Sequence, residues 1–125
     1  IEKILMIKKN TVFNKHNPKL IENIDIGISR QILAYGSDLM AVKVWFDEGA
    51  IGFEHKHQHT QISYVESGEF EVVIDGETQI LTAGDSFLVA PDKLHGAICR
   101  KKGVLIDVFT PHREDFIQGE NNENK

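Results

Sequence analysis

His55-Lys56-His57-Gln58-His59-Thr60-Gln61 alternates imidazoles along a segment bracketed by Gly49 and Gly68. Residues two apart leave an extended strand on the same face, so His55 and His57 can both reach one cation. Downstream, His95 stands beyond Gly84-Asp85 and Pro91-Asp92, two turn-forming pairs. His55, His57, Gln61 and His95 are thus the candidate ligands of a transition metal. A histidine run on a solvated loop would bind metal without purpose. Here, however, the flanks are apolar and strand-like, with five residues between Gly49 and His55 and six between Gln61 and Gly68.

Working outward, nearly every segment favours strand. Residues 39 to 47, Leu-Met-Ala-Val-Lys-Val-Trp-Phe-Asp, are branched and aromatic and run into the turn-prone Glu48-Gly49. Residues 61 to 66 and 69 to 75 are expected as two strands about Ser67-Gly68. Val72-Val73-Ile74, Asp75-Gly76 and Glu77-Thr78-Gln79-Ile80-Leu81 carry the strongest short-range hairpin signal. Ala83-Gly84-Asp85 turns the chain into Ser86-Phe87-Leu88-Val89-Ala90, and Pro91-Asp92 turns it toward His95. A short apolar strand is expected through Cys99, and a further one after Gly103, Val104 to Thr110, closed by Pro111.

Seven or eight short strands with regular turns imply an all-β sandwich or barrel. Only the first thirty or so residues hold a helix candidate, starting at Pro18 and running through Lys19-Leu20-Ile21-Glu22-Asn23-Ile24. The tail from Gly119 has nothing to bury. The expected organisation is an N-terminal extension over 1–29, one barrel over 30–117 and a flexible polar tail over 118–125.

Composition narrows the function classes. The chain has 125 residues, the size of one domain, with 26% charged and 41% hydrophobic residues, ordinary for a globular protein. A net charge of -5 offers nothing to a nucleic-acid backbone. The pairs Lys8-Lys9 and Lys101-Lys102 fit solvated faces. No apolar run has the length of a membrane span, and the opening Ile-Glu-Lys-Ile-Leu-Met-Ile-Lys-Lys lacks the apolar core of a signal peptide, so the expectation is a cytoplasmic protein with neither membrane nor nucleic-acid partner. The single cysteine, Cys99, cannot form an internal disulfide and fits a buried strand position better than a nucleophile. Trp45 and Tyr64 fit the core better than a pocket. His16 and His112 are expected on the surface.

Gly49, His55, His57, Gln61 and Gly68 resemble the first motif of the cupin superfamily, and Gly84-Asp85, Pro91 and His95 resemble the second. Two departures are visible: Gln61 stands where a glutamate ligand is usual, and Asp92 where glycine usually follows the proline. Val-Leu-Ile-Asp-Val-Phe-Thr-Pro-His-Arg-Glu-Asp-Phe, residues 104 to 116, is similar to the KdgF-type pectin-degradation cupins, and the likeness covers nearly all of 30–117. The resemblance implies a double-stranded β-helix, a jelly roll with the metal inside one open mouth.

Along residues 104 to 109, Leu105, Asp107 and Phe109 share one face, and Val104, Ile106 and Val108 the other. An aspartate in an apolar strand is explained if its face lines the mouth, or if it forms a structural ion pair, Arg113 being one partner within reach. The family resemblance implies the first: Asp107 catalytic, Phe109 substrate-binding and Arg113 both. His59 alternates with the ligands without being required as one, and substrate contact or support of the ligands is expected of it.

Three histidines and a glutamine are neutral, so a divalent cation would keep its full charge and favour an anion. With Arg113, whose fork suits a carboxylate, a small anionic sugar acid is the expected substrate. The resemblance implies an isomerase-like enzyme that linearises 4,5-unsaturated monouronates from pectin or alginate breakdown to 5-keto-4-deoxyuronate. A cupin dioxygenase acting on a small acid, or a non-catalytic sugar-acid binder, are the alternatives. The ligand set does not choose among nickel, zinc, manganese and iron. The apolar set Val104, Ile106 and Val108 would suit a homodimer.

Overall fold

The computed structural model describes residues 6–117. One sheet of eight strands contains β1 (Glu22–Asp25), β2 (Ile28–Tyr35), β3 (Met40–Phe46), β4 (Ile51–His55), β5 (Thr60–Ile74), β6 (Glu77–Thr82), β7 (Ser86–Val89) and β8 (His95–Thr110). All pairings are antiparallel, in the order β1-β2-β3-β8-β5-β6, with β4 on β8 and β7 on β5. The expected all-β jelly-roll barrel is the observed fold. No helix among the described residues is long and apolar enough to cross a membrane.

Two long strands make one sheet into two layers. The first half of β5 lies between β7 and the second half of β8, which continues to β3. The second half of β5 lies between β6 and the first half of β8, which continues to β4. The bend between the halves falls where the β5–β8 register slips, between Val65 and Phe70. Gly68 has φ +86° there, and a Cβ would stand 2.5 Å from the Gly103 Cα, so the two glycines let the strands cross at contact. Ser67-Gly68 is thus a bulge within one strand rather than a turn between two. In the same way, the segments expected on either side of Gly103 are one strand, β8. Neither continuity is visible locally, because a glycine that bends a strand and one that ends it look alike in sequence.

The Asp75-Gly76 hairpin forms as expected. Both residues have positive φ, 49° and 85°, the primed turn whose twist matches the strands it joins. Pro18 begins only one turn of 3-10 helix, Pro18–Leu20, in which the Asn17 side chain accepts from the Lys19 N–H at 3.0 Å. Beyond it the chain pairs with β2 instead of winding on, since pairing satisfies its backbone and sets Glu22 2.9 Å from Arg30. The sheet consequently begins at Glu22, within the segment expected as an extension. The tail over 118–125 lies outside the described residues.

Alternation decides the core. Met40, Val42, Val44 and Phe46 point inward from β3, meeting Val65, Phe70 and Val72 of β5 and Cys99, Leu105 and Phe109 of β8. Cys99 is buried, its thiol 3.1 Å from the Lys101 carbonyl and 3.8 Å from that of Phe46, and burial pushes its pKa up, which disfavours the nucleophilic thiolate. His112 is less exposed than a surface histidine: its side chain is 14% exposed, against Tyr35, with Nδ1 3.1 Å from the Ser37 carbonyl. That contact reaches across the loop between β2 and β3, which sequence spacing does not reveal.

Candidate metal centre

The open end of the barrel gathers the histidines. β4 ends at His55, directly across from His95 at the start of β8, and the link from β4 to β5 carries His57 between them. Potential ligand atoms of His55, His57 and His95 all lie within 4.8 Å of one another. The ring centroids of His55 and His95 are 4.4 Å apart, and those of His57 and His95 4.8 Å.

Main-chain carbonyls fix these rings. Nδ1 of His55 lies 2.9 Å from the Phe53 carbonyl, Nδ1 of His57 3.0 Å from that of His59, and Nδ1 of His95 2.9 Å from that of Lys93. A carbonyl only accepts, so each Nδ1 carries the proton, and in the neutral ring Nε2 is the nitrogen with the lone pair. The His95 Nε2 is buried without a hydrogen-bond partner among the described residues. Burial also pushes the His95 pKa down to about 4, with the Lys93 carbonyl working against it, and lowers that of His57. For His95 and His57 this favours the neutral imidazole, the form that binds metal.

Gln61 makes the case for a cation sharper. Its Oε1 lies 3.0 Å from the His57 Nε2. A neutral imidazole carries one proton and His57 faces a carbonyl at one nitrogen and an amide oxygen at the other, so one of those oxygens meets a lone pair. A cation shared by Nε2 and Oε1 removes the conflict. The donor set, three imidazoles and an amide oxygen, therefore fits a divalent transition metal, with His55, His57 and His95 as its core. The cluster leaves out His59, which is half-buried, holds His57 through its carbonyl and has its ring 5.6 Å from that of His57.

A polar chain runs inward from the cluster. Gln61 Nε2 donates to the Ser63 Oγ at 2.8 Å, and Ser63 donates to the Asp107 Oδ1 at 2.6 Å. Strand geometry builds this chain: Gln61 and Ser63 are two apart on β5, and Ser63 is the cross-strand partner of Asp107. Asp107 as a whole is half-buried, but its carboxyl lies deep enough that burial lifts its pKa to about 6, against the lowering pull of Ser63 and Arg113.

Arg113 does not pair with Asp107. It is buried and forks onto Asp115, Nε to Oδ1 at 2.8 Å and a terminal nitrogen to Oδ2 at 2.6 Å. Its guanidinium lies 5.1 Å from the Phe109 ring centre and 4.4 Å from that of Phe116, which Arg30 faces at 3.8 Å. Phe109 stands 5.8 Å from the His57 ring, so Arg113 and Phe109 both border the cluster. Ser63, Asp115, Phe116 and Arg30 are site neighbours that sequence inspection missed. A serine at an inward position of an apolar strand was the one available signal.

Comparison with known proteins agrees with this geometry. Residues 43–109 match the cupin domain model. The pectin degradation protein KdgF of Dickeya dadantii is 48% identical, over 77% of this chain and 89% of that protein. An RmlC-like cupin from Shewanella frigidimarina superposes with a TM-score of 0.80 at 50% identity, covering 85% of this chain and 96% of the other. The structure of KdgF from a Halomonas species superposes with a TM-score of 0.75 at 43% identity, covering 77% and 89%.

Proposed function

This chain belongs to the cupin superfamily, in its KdgF-type branch, and from that premise we propose that it linearises 4,5-unsaturated monouronates to 5-keto-4-deoxyuronate. The observation that carries the reading is the continuous link His57–Gln61–Ser63–Asp107, which ties a metal-ligating cluster to a carboxylate of raised pKa. A proton must move in this reaction and a developing oxyanion must be held; neither needs a redox cofactor. A divalent cation held by His55, His57, His95 and Gln61 would supply Lewis acidity toward the substrate carboxylate and ring oxygen.

The chain's own residues do the rest. Asp107, ionised at neutral pH yet with a pKa lifted to about 6, takes the C1 hydroxyl proton as the hemiacetal opens. As C1=O forms and the bond from C1 to the ring oxygen breaks, the C5 oxygen is freed as an enolate, and protonated Asp107 returns the proton to C4, turning the enolate into a ketone. The proton count balances and no other reactant is consumed. Arg113, held by Asp115 and flanked by Phe109 and Phe116, is preorganised as the carboxylate anchor. Phe109 packs against the sugar and limits water at the reacting face.

The test is the loss of ultraviolet absorbance of freshly generated 4,5-unsaturated galacturonate, followed with metal-loaded protein, chelator-stripped protein and no protein. Acceleration that disappears on stripping and returns with metal is the expected result. A loaded protein that leaves the spontaneous rate unchanged would overturn the proposal.

A further inference from the structure

We infer that Ser63 is a positioning residue, whose hydroxyl sets which end of the Gln61 amide faces the histidine cluster and holds the Asp107 carboxylate in place. Ser63 is 0% exposed, between Gln61 and Val65 on the inward face of β5. Its apolar neighbours in the sheet are Val65 along β5 and Phe87 across on β7, and its polar ones are Gln61 and Asp107. A buried hydroxyl costs desolvation unless both its donor and its acceptor capacity are used. Here both are used, and in one direction.

A hydroxyl has a single proton to give. The Asp107 carboxylate can only accept, so the proton of Ser63 is committed to Oδ1 at 2.6 Å. Oγ is then left as an acceptor, and the group 2.8 Å away on Gln61 must be the amide NH2. The other end of the amide, Oε1, is thereby turned to the His57 Nε2 at 3.0 Å, where a cation would be shared. Gln61 by itself has no such preference, because its oxygen and nitrogen have nearly the same shape. Flipped, it would present N–H donors to a cation and remove a ligand. A glutamate at this position would need no such guide, since both its ends are oxygens, so the serine complements the glutamine.

Orientation of Gln61 matters for any metal at the cluster, whereas placement of Asp107 matters for turnover and rests on the proposed reaction. The test uses Co2+ as probe, with affinity from chelator competition and coordination from its visible d–d bands. Ser63→Ala should bind Co2+ about 10- to 100-fold more weakly, the usual cost of removing a partner that orients a ligand, with a changed d–d spectrum. Ser63→Thr and Ser63→Val form a matched pair of equal volume that share any packing disturbance. Threonine should keep the affinity and spectrum, and valine should lose both. Wild-type Co2+ binding in Ser63→Ala, or equal binding by the threonine and valine variants, would overturn the inference. In the uronate assay Ser63→Ala at saturating metal should lose kcat with KM little changed. A wild-type protein that binds Co2+ as expected yet fails to accelerate the uronate would sink the reaction while the Gln61 result stands.

Discussion

The stretch of β5 and β8 beside the bend and the stretch at the open end obey the same alternation and come to opposite uses. Beside the bend the inward residues are Phe70 and Cys99, which pair across the strands, with Phe46 meeting Phe70 edge-on at a centroid distance of 5.1 Å. At the open end the inward residues are Gln61 and Ser63 on one strand and Asp107 and Phe109 on the other. The stretch beside the bend needs only volume and shape, since its polar atoms are backbone groups and one thiol that faces carbonyls. Buried polar side chains at the open end would be unfavourable singly, and are tolerated because each hands its hydrogen bond to the next. His95 Nε2, buried without a hydrogen-bond partner among the described residues as His59 Nδ1 and Gln31 Oε1 also are, is the one of the three that belongs to the candidate metal cluster. Stability and chemistry are therefore divided along the length of the same strands.

That division can be broken from either side. The largest effect is expected from Asp107→Asn, which keeps the shape and the oxygen that accepts from Ser63 but cannot take a proton. Its kcat should fall by about 100- to 10,000-fold, the usual contribution of a proton-transfer group, with metal content and melting behaviour retained. Normal turnover in that variant would remove Asp107 from the mechanism.

Phe70→Ala addresses the stretch beside the bend. Phe70 is wholly buried, and its truncation should cost about 3–5 kcal/mol of folding stability in denaturant unfolding of the metal-free protein. Molecules that remain folded should bind metal as before. A loss of metal affinity in that folded fraction would show that the two stretches are coupled rather than divided.

The smallest and most diagnostic effect is on pH. Burial raises the Asp107 pKa to about 6, so its proton-accepting carboxylate form accumulates as pH rises through that value. Turnover of metal-loaded protein should accordingly rise with pH and level off above about 6, falling about tenfold per unit below it. A bound cation shifts the limb toward lower pH. The residual rate of Asp107→Asn should lack this limb, and a limb that persisted would assign the titration to another group.

Much of this was legible in the chain. The His55–His57 alternation, Gln61 and His95 named the cluster, and the primed hairpin at Asp75-Gly76 formed because two residues with positive φ have few other options. Parity alone set Leu105, Asp107 and Phe109 on one face. Such features are local: a strand repeats every two residues, and a tight turn is determined by the residues in it. Gly68 and Gly103 were visible too, but their sense was not, since contact between backbones 35 residues apart turns what looks like two turns into one bend.

Tertiary structure alone decided three things. It placed Ser63 opposite Asp107 across 44 residues of chain, it gave Arg113 to Asp115 rather than to Asp107, and it set main-chain carbonyls against the Nδ1 atoms of His55, His57 and His95. The sequence by itself determined which side chains could bind a cation, because that is a property of residue type and parity. Which lone pairs converge, which amide end faces them and which carboxylate stays free depend on register and loop path, quantities set only when distant strands pair.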